Sequence, residues 1–512
     1  MTETEDIPPE GRARFLPDIG EVVAGSYDTV TVEYTVGTLG MDDGSSIMAV
    51  FSQTSDWSRP QFEYPRDDAY TTVKTSGQAE LNAEYDDRAW KRPYSHGVRV
   101  DVKGGSIDPG ETITLTIGDR SNGSMGQRQQ TFVENGFEIR ILADPVRTGE
   151  FIEVSRLTYD VVAGPPTRLD GILPSVSEVG NEVELRVRAT DRWGNIATNY
   201  DGTVKVECEG EPSIDAETVR LEEGTGRTTF SLSEAGVYRL RITDDETGTE
   251  ATTNPLVVGG DIPKIYWGDI HGQSGETVGT GTIQEYFEFA RDCAFVDFAA
   301  HAGNDFQITD EFWDTIRDTV RGFNQPGEFV TFPCYEWSAN APAGGDHNVY
   351  FKDDEAAAGQ EILRSHSWLV TDRDGERTDG VRPIQELYGA YEGRDDVLII
   401  PHQGGRPADL RVHDPELTPF VEITSVWGVF EWFGRKAIDK GYEVGFVGSS
   451  DDHTGRPGVA WPDRLPHHNV QGGLMGVQTD SLERDALWDA FKDRRVYATT
   501  GKRILVDHRV NG

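Results

Sequence analysis

Two hydrophobic patterns divide the chain near residue 260. Before it, "YDTVTVEYTVG" (27–37), "GVRVDVKGG" (97–105) and "ETITLTIGD" (111–119) alternate β-branched and polar residues between clusters of Gly, Asp and Ser. That period of two predicts half-buried strands. The Pro-Pro pair of "VVAGPPTRLDG" (161–171) predicts a domain boundary. After it, "NEVELRVRATDRWGN" (181–195), "GTVKVECEG" (202–210), "RTTFSLSEAGVYRLRITD" (227–244) and "TTNPLVVGG" (252–260) read as short, evenly spaced strands of a second compact sandwich. From about residue 261, strand-like runs alternate with helices. "TIQEYFEFARDCA" (282–294) predicts a helix with a capping box between Thr282 and Glu285. "LERDALWDAFKDR" (482–494) predicts another. The expected organisation is a disordered N-terminus at 1–15, a β-sandwich at 16–162, a second sandwich at 163–260 and a βα-repeat domain at 261–512.

The polar residues of the last domain fall at strand ends. "KIYWGDI" is followed by His271, and "FVDFAA" by His301 with Asn304 and Asp305 just beyond. "EFVTFPCY" is followed by Glu336, "DVLII" by Pro401 and His402, and "EVGFVGSS" by Asp451, Asp452 and His453. Such ends converge in a βα fold, so five metal-competent deliveries predict one shared site. Imidazole plus carboxylate without thiolate favours Zn, Mn or Fe over calcium. The surplus of candidates predicts two or three divalent ions.

Charge adds a setting. The formal net charge is -41, from 89 acidic and 48 basic residues, of which only ten are lysine. An acidic, lysine-poor surface suits a salt-rich cytosol, and it supplies no basic stripe for nucleic acid or anionic membrane. The N-terminal residues lack a signal-peptide pattern, and no apolar run is long enough to span a membrane. Three scattered cysteines form no disulfide framework. These readings predict a cytoplasmic protein acting on a small molecule, with its oligomeric state open. The closing "RILVDHRVNG" reads as a strand entering an Asn-Gly turn, whose partner strand would lie beyond Gly512.

Two resemblances follow. "RATDRWGN" and "AGVYRLRITD" make residues 163–260 resemble immunoglobulin-like modules of multidomain proteins. "GDIHG" and "VGSSDDHTGRPG" make residues 267–501 resemble the PHP (polymerase and histidinol phosphatase) superfamily. That resemblance implies all-β sandwiches followed by a distorted (β/α)7 barrel, with a di- or trinuclear metal centre and phosphoesterase chemistry. His271 matches the first histidine of its opening HxH, Glu336 the mid-chain acidic ligand, His402 a histidine after a central strand, and Asp451 and His453 the closing DxH. Gln273 stands where a second histidine belongs, as a weaker ligand or a hydrogen-bonding neighbour. Asn304 stands where a later histidine belongs, and His301, with Asp305, takes that role.

Roles follow from these positions. Metal-bound hydroxide would attack a phosphoester, with His347 or Asp452 protonating the leaving group and Arg406 and Arg456 holding its charge. Each has a bland counterpart: a loop histidine, a helix cap, surface arginines. Glu422 either points into the site or is a solvated strand residue. His366, His413, His467 and His468 read as solvated loop residues. Hydrolysis of an amide, lactone or carboxylic ester would use the same ligands. A non-catalytic carbohydrate- or protein-binding protein is the remaining alternative, with Trp57, Trp90 and Trp193 as a sugar platform.

Overall fold

The computed structural model describes residues 7–208, 217–358, 362–365, 382–464, 468 and 470–506. The chain forms two compact units, Met1–Ala163 and Gly164–Gly512. In the first, six strands pair in the spatial order Glu21–Val23, Ile152–Val162, Glu134–Asp144, Ser46–Phe51, His96–Lys103 and Glu80–Asp86. A second sheet orders Arg12–Phe15, Val30–Thr35, Thr112–Ile117 and Thr71–Thr75. Alternation places Val30, Val32 and Tyr34 in the core with Ile113, Leu115 and Ile117. Phe15 of one sheet meets Tyr159 of the other with ring centroids 5.8 Å apart. Arg12–Phe15, within the segment expected to be disordered, is a strand that pairs antiparallel with Val30–Thr35; residues 1–6 lie outside the described residues. Trp57 is buried between Phe51 and Phe137 and donates from Nε1 to Gln129, so it offers no platform to a sugar.

The second unit opens with small sheets built over residues 164–260. Arg168–Ile172, Glu182–Thr190 and Thr225–Ser231 form one, and Thr218–Arg220, Thr203–Cys208, Leu240–Asp244 and Thr249–Thr252 another. Leu185, Val187, Val204, Val206, Leu240 and Ile242 share its core.

Beyond residue 260 the expected (β/α)7 barrel is corrected. The described strands form three separate sheets that do not close on one another. The largest orders Val330–Phe332, Phe298–Ala300, Ile265–Asp269, Leu474–Gln478 and Val496–Thr499. Its first three strands are parallel, but Leu474–Gln478 enters antiparallel beside Ile265–Asp269. The run "EFVTFPCY" is two strands, because Pro333 interrupts it. Pro lacks the N–H a ladder needs, and the chain passes at that point from one sheet into the next. Cys334–Ser338, Asp346–Phe351 and Val397–Pro401 then pair antiparallel without a crossover helix between the first two. The third sheet orders Gly428–Val429, Phe420–Ser425 and Gly445–Gly448. Helices Ile283–Glu288, Asp310–Phe323, Ile384–Tyr391, Glu431–Asp439 and Arg484–Lys492 cover the faces. The Thr282–Glu285 capping box is present, and the first helix continues as a π-helical turn, Phe289–Cys293. Among the described residues no helix is long and apolar enough to cross a membrane. The Asn-Gly turn expected at the end lies outside the described residues, as do His366 and His467.

One carboxyl in the first unit links the fold to pH. Burial pushes Glu134 from 4.5 up to about 7, although Gln130 donates to it at 2.7 Å. The folded state then holds a proton that the unfolded chain releases, so stability falls as pH rises from about 4.5 through about 7. Glu134→Gln is expected to raise the urea midpoint at pH 8 and to leave it unchanged at pH 4, as followed by tryptophan fluorescence.

Candidate metal centre

The site begins at the end of the central strand Ile265–Asp269. Asp269 is fully buried and its carboxylate accepts three backbone N–H groups: Ser450 at 2.9 Å, His271 at 3.3 Å and Gly458 at 2.6 Å. It thereby ties the 271–273 segment to the 449–458 loop. The backbones continue the connection, with Asp451 N–H on the His271 carbonyl and Gln273 N–H on the Asp452 carbonyl, each at 2.8 Å. Asp451 adopts φ 49°, a left-handed conformation that Asp tolerates better than most side chains.

Six groups converge there. His271 Nε2 lies 3.2 Å from Asp451 Oδ1 and 3.7 Å from Glu336 Oε2. Its Nδ1 lies 3.1 Å from Glu422, so Glu422 orients the ring and leaves Nε2 facing the other carboxylates. The His402 ring stands 4.3 Å from the His271 ring, centroid to centroid. Metal-competent atoms of His271, Glu336 and Asp451 lie within 4.8 Å of one another, as do those of His271, His402 and Glu422, and those of Glu336, Asp346 and His402. His453 joins at the edge, with Nε2 3.2 Å from Asp451 Oδ1 and 14% of its side chain exposed.

Neighbouring side chains fix the carboxylates. Gln273 donates to Glu336 at 2.8 Å, while its own oxygen accepts from Thr277 at 2.6 Å. Ser338 donates to the other Glu336 oxygen at 2.7 Å and accepts from Asn304 at 2.8 Å. Arg406 reaches Glu336 at 3.4 Å and Asp346 at 2.8 Å. Gln273 and Asn304, at the two positions where histidines were missing, thus hold Glu336 in place directly and through Ser338.

The electrostatics are those of carboxylates crowded around imidazoles. Burial pushes Asp346 and Glu422 above the usual carboxylate range, with the neighbouring charge of Glu336 adding to the shift at Asp346. Burial opposes protonation of His271, yet Asp451 and Glu422 hold its pKa well above the ordinary value. His402 moves the other way, down to about 3, through burial and the charge of His271. Its ring is therefore neutral, and neither nitrogen has a hydrogen-bond partner. His271 Nε2 also lacks one. Buried polar atoms are nearly always paired, so the proton-free nitrogen of His402 and the Nε2 of His271, both unpaired beside carboxylates, fit a cation as their common partner.

Several expected site residues are engaged elsewhere. Among the described residues, His301, Asp305, His347 and Asp452 belong to none of the clusters of possible metal ligands. His301 Nε2 pairs with Ser274 at 2.9 Å, and its ring packs on Tyr286 and Phe312. Burial draws it down to about 3. Asp305 accepts from Ser338 N–H and from the backbone and hydroxyl of Ser365, which makes it a loop tie. His347 lies on the sheet face opposite Asp346 because strand residues alternate; it packs between Trp337 and Tyr388. Asp452 takes Thr454 N–H, Thr454 hydroxyl and Arg456 N–H on its two oxygens, a cap on its own loop. Arg456 is buried and donates to Thr454, to the carbonyls of Trp193 and Trp461, and to Asn195. Its guanidinium fastens the 164–260 module to the 449–458 loop, and anion capture by Arg456 is corrected accordingly. His468 is buried rather than solvated and pairs with Asp463 at 2.7 Å. His413 stacks on Tyr442, with centroids 4.0 Å apart. Asp346 and Asp269 escaped the sequence reading. The signal for Glu422 and Asp269 was a carboxylate inside an otherwise apolar strand.

Comparison with known proteins gives one family match: residues 264–403 and 459–509 match "Protein of unknown function (DUF3604)". An uncharacterized protein of Chlamydia trachomatis is 21% identical over 535 residues, 95% of this chain and 81% of that protein. One of Chlamydia pneumoniae is 21% identical over 441 residues, 79% and 68% of the two chains. Among solved structures, the D00-D0 domain of intimin aligns at 12% identity with a TM-score of 0.23, over 49% of this chain and 100% of its own. The BspA C-terminal domain of Streptococcus agalactiae aligns at 10% with a TM-score of 0.22, over 49% and 100%. The resemblance to the PHP superfamily is corrected by the family match. That match leaves out residues 404–458, and with them the "VGSSDDHTGRPG" segment on which the resemblance chiefly rested. The phosphoesterase assignment taken from the resemblance falls with it.

Arg456 separates a structural role from a ligand role. Arg456→Ala leaves buried acceptors unpaired and is expected to lower stability by about 2–4 kcal/mol. Metal content per folded chain should stay at the wild-type level. Denaturant titration and elemental analysis on the same preparation check both.

Proposed function

We propose that the protein is a metal-dependent hydrolase whose ion or ions are held by His271, Glu336, His402 and Asp451, with His453 as a further donor at the solvent edge. The observation that supports this most is His402. It is a buried, neutral imidazole with both nitrogens unpaired, set beside Glu336 and Asp346. Imidazole with carboxylate suits Zn, Mn or Fe. The overlapping clusters share His271, Glu336 and His402, which leaves room for a second ion beside the first. When bound, such ions polarise an ester or amide and ease deprotonation of water. The chain's own contribution is orientation. Glu422 fixes the His271 ring, Gln273 and Ser338 fix the two oxygens of Glu336, and Arg406 offsets the charge of Glu336 and Asp346.

Elemental analysis of the purified protein tests the metal. Wild type is expected to carry at least one equivalent of Zn, Mn or Fe, and His402→Ala and Asp451→Ala are expected to lose it. Less than one equivalent in wild type after incubation with these ions would remove the reading. Glu422→Gln keeps the ligands but weakens the hold on the His271 ring, and metal affinity should fall by about 10–100-fold. Competition with a chromogenic chelator measures that. A panel of carboxylic esters, lactones, amides and phosphoesters, assayed with the resident metal, tests hydrolysis. Absence of turnover on every class would reject the hydrolase while leaving the metal centre standing.

A further inference from the structure

Between the 164–260 module and the domain that follows it, within the second compact unit, lies a cavity of about 260 Å³. Among the described residues, its walls carry Arg168, Arg188, Arg239, Lys502 and Arg503, with one carboxylate, Asp170. In a chain with a formal net charge of -41, such a concentration of cations needs a reason. Asp170 is divided between Arg168 at 3.5 Å and Arg188 at 3.3 Å. The other hydrogen-bond partners of Arg188 and Arg503 are neutral carbonyls, while Asp297 attracts Arg503 without a hydrogen bond. Arg188 donates to the carbonyls of Cys293 and Ala294, each at 3.1 Å, and Arg503 to those of Ala294 and Phe295, at 3.2 and 2.6 Å. These bonds aim the guanidinium groups without neutralising them. Arg168 lies over the Trp461 ring, 4.0 Å from its centroid, and its buried Nε has no hydrogen-bond partner.

We infer that this cavity binds a small multivalent oxyanion, a phosphate or polycarboxylate group, between Arg168, Arg188 and Arg503, with Trp461 covering its apolar side. Guanidinium forks suit such oxygens, and a partly enclosed site is less screened by salt than a surface one. Burial, and then the charges of Arg188 and Arg186, draw Arg503 down to about 9 against the pull of Asp297. A bound anion would relieve that strain. The site is separate from the metal cluster in its residues. It touches the same scaffold through Gly458, which lines the cavity and donates to Asp269.

Thermal unfolding of the whole protein in constant KCl, with inorganic phosphate or citrate added at matched ionic strength, tests the inference. At least one of the two anions is expected to raise the midpoint in proportion to its occupancy. In Arg168→Gln the apparent affinity should fall about tenfold. Should that variant fail to fold, Arg239→Gln/Lys502→Gln, on exposed side chains, is expected to weaken the same effect several-fold. His402→Ala should leave the anion response unchanged, which separates this cavity from the metal cluster. A response to phosphate alone assigns a phosphate-bearing ligand, and one to citrate alone a polycarboxylate. No rise beyond that of matched KCl, equal affinity in wild type and the cavity variants, or loss of the response in His402→Ala would overturn the inference.

Discussion

The second unit depends on one buried carboxylate. Asp269 ends the central strand of the five-stranded sheet, and its oxygens collect N–H groups from His271, Ser450 and Gly458. Those residues belong to segments that the sheets alone do not join, because Ile265–Asp269 and Gly445–Gly448 lie in different sheets. Burying a carboxylate is costly, and here burial pushes its pKa up to about 6 even though backbone donors oppose the shift. The return is positional. With this tie in place the His271 carbonyl receives the Asp451 N–H, and imidazole and carboxylate meet at 3.2 Å.

The same logic extends outward. Glu336 is held from three directions, by Gln273, Ser338 and Arg406, so its oxygens are aimed before any ion arrives. Such preorganisation accounts for the two amides at positions where histidine was expected. An amide there is no ligand, but it is a donor that can hold a carboxylate. In a surface so acidic, the interior nevertheless keeps arginine where geometry is needed: Arg406 beside Glu336, Arg456 across the module boundary, Arg364 donating to the carbonyls of Asp305 and Ile308.

How much of this could be read in the sequence depends on the kind of signal. The strand-end positions of His271, His402, Asp451 and His453 were visible because an apolar run followed by a metal-competent side chain is a local pattern, whereas Glu336, singled out by the same pattern, lies inside the strand Cys334–Ser338. The barrel was not, because strand direction is decided by pairing partners far along the chain. Pro333 split one predicted strand, and Asp346–Phe351 became a buried central strand although Asp, His and Asn are poor strand formers. His301 follows the same local pattern as His271 yet turns to Ser274 and the aromatic rings of Tyr286 and Phe312. Nothing in its neighbours' identities marks that difference. Glu422 was ambiguous for the opposite reason, since a lone carboxylate in "FVEITS" is either solvated or deliberately buried, and only the sheet's neighbours decide which.

The domain boundary near residue 260 is a boundary of pattern and not of packing. Residues 164–512 form one compact unit, and the join is specific. Asp191 organises its own turn by accepting the N–H groups of Trp193 and Asn195, which presents the Trp193 carbonyl and the Asn195 side chain to Arg456. Arg456 is held in turn by Asp452, next to the candidate ligand Asp451. A β-module that read as an independent sandwich is thus bonded, through Trp193 and Asn195, to the loop that carries two of the candidate metal donors. Its position beside the site is a mechanical one: it restrains the loop from behind while the donors face inward.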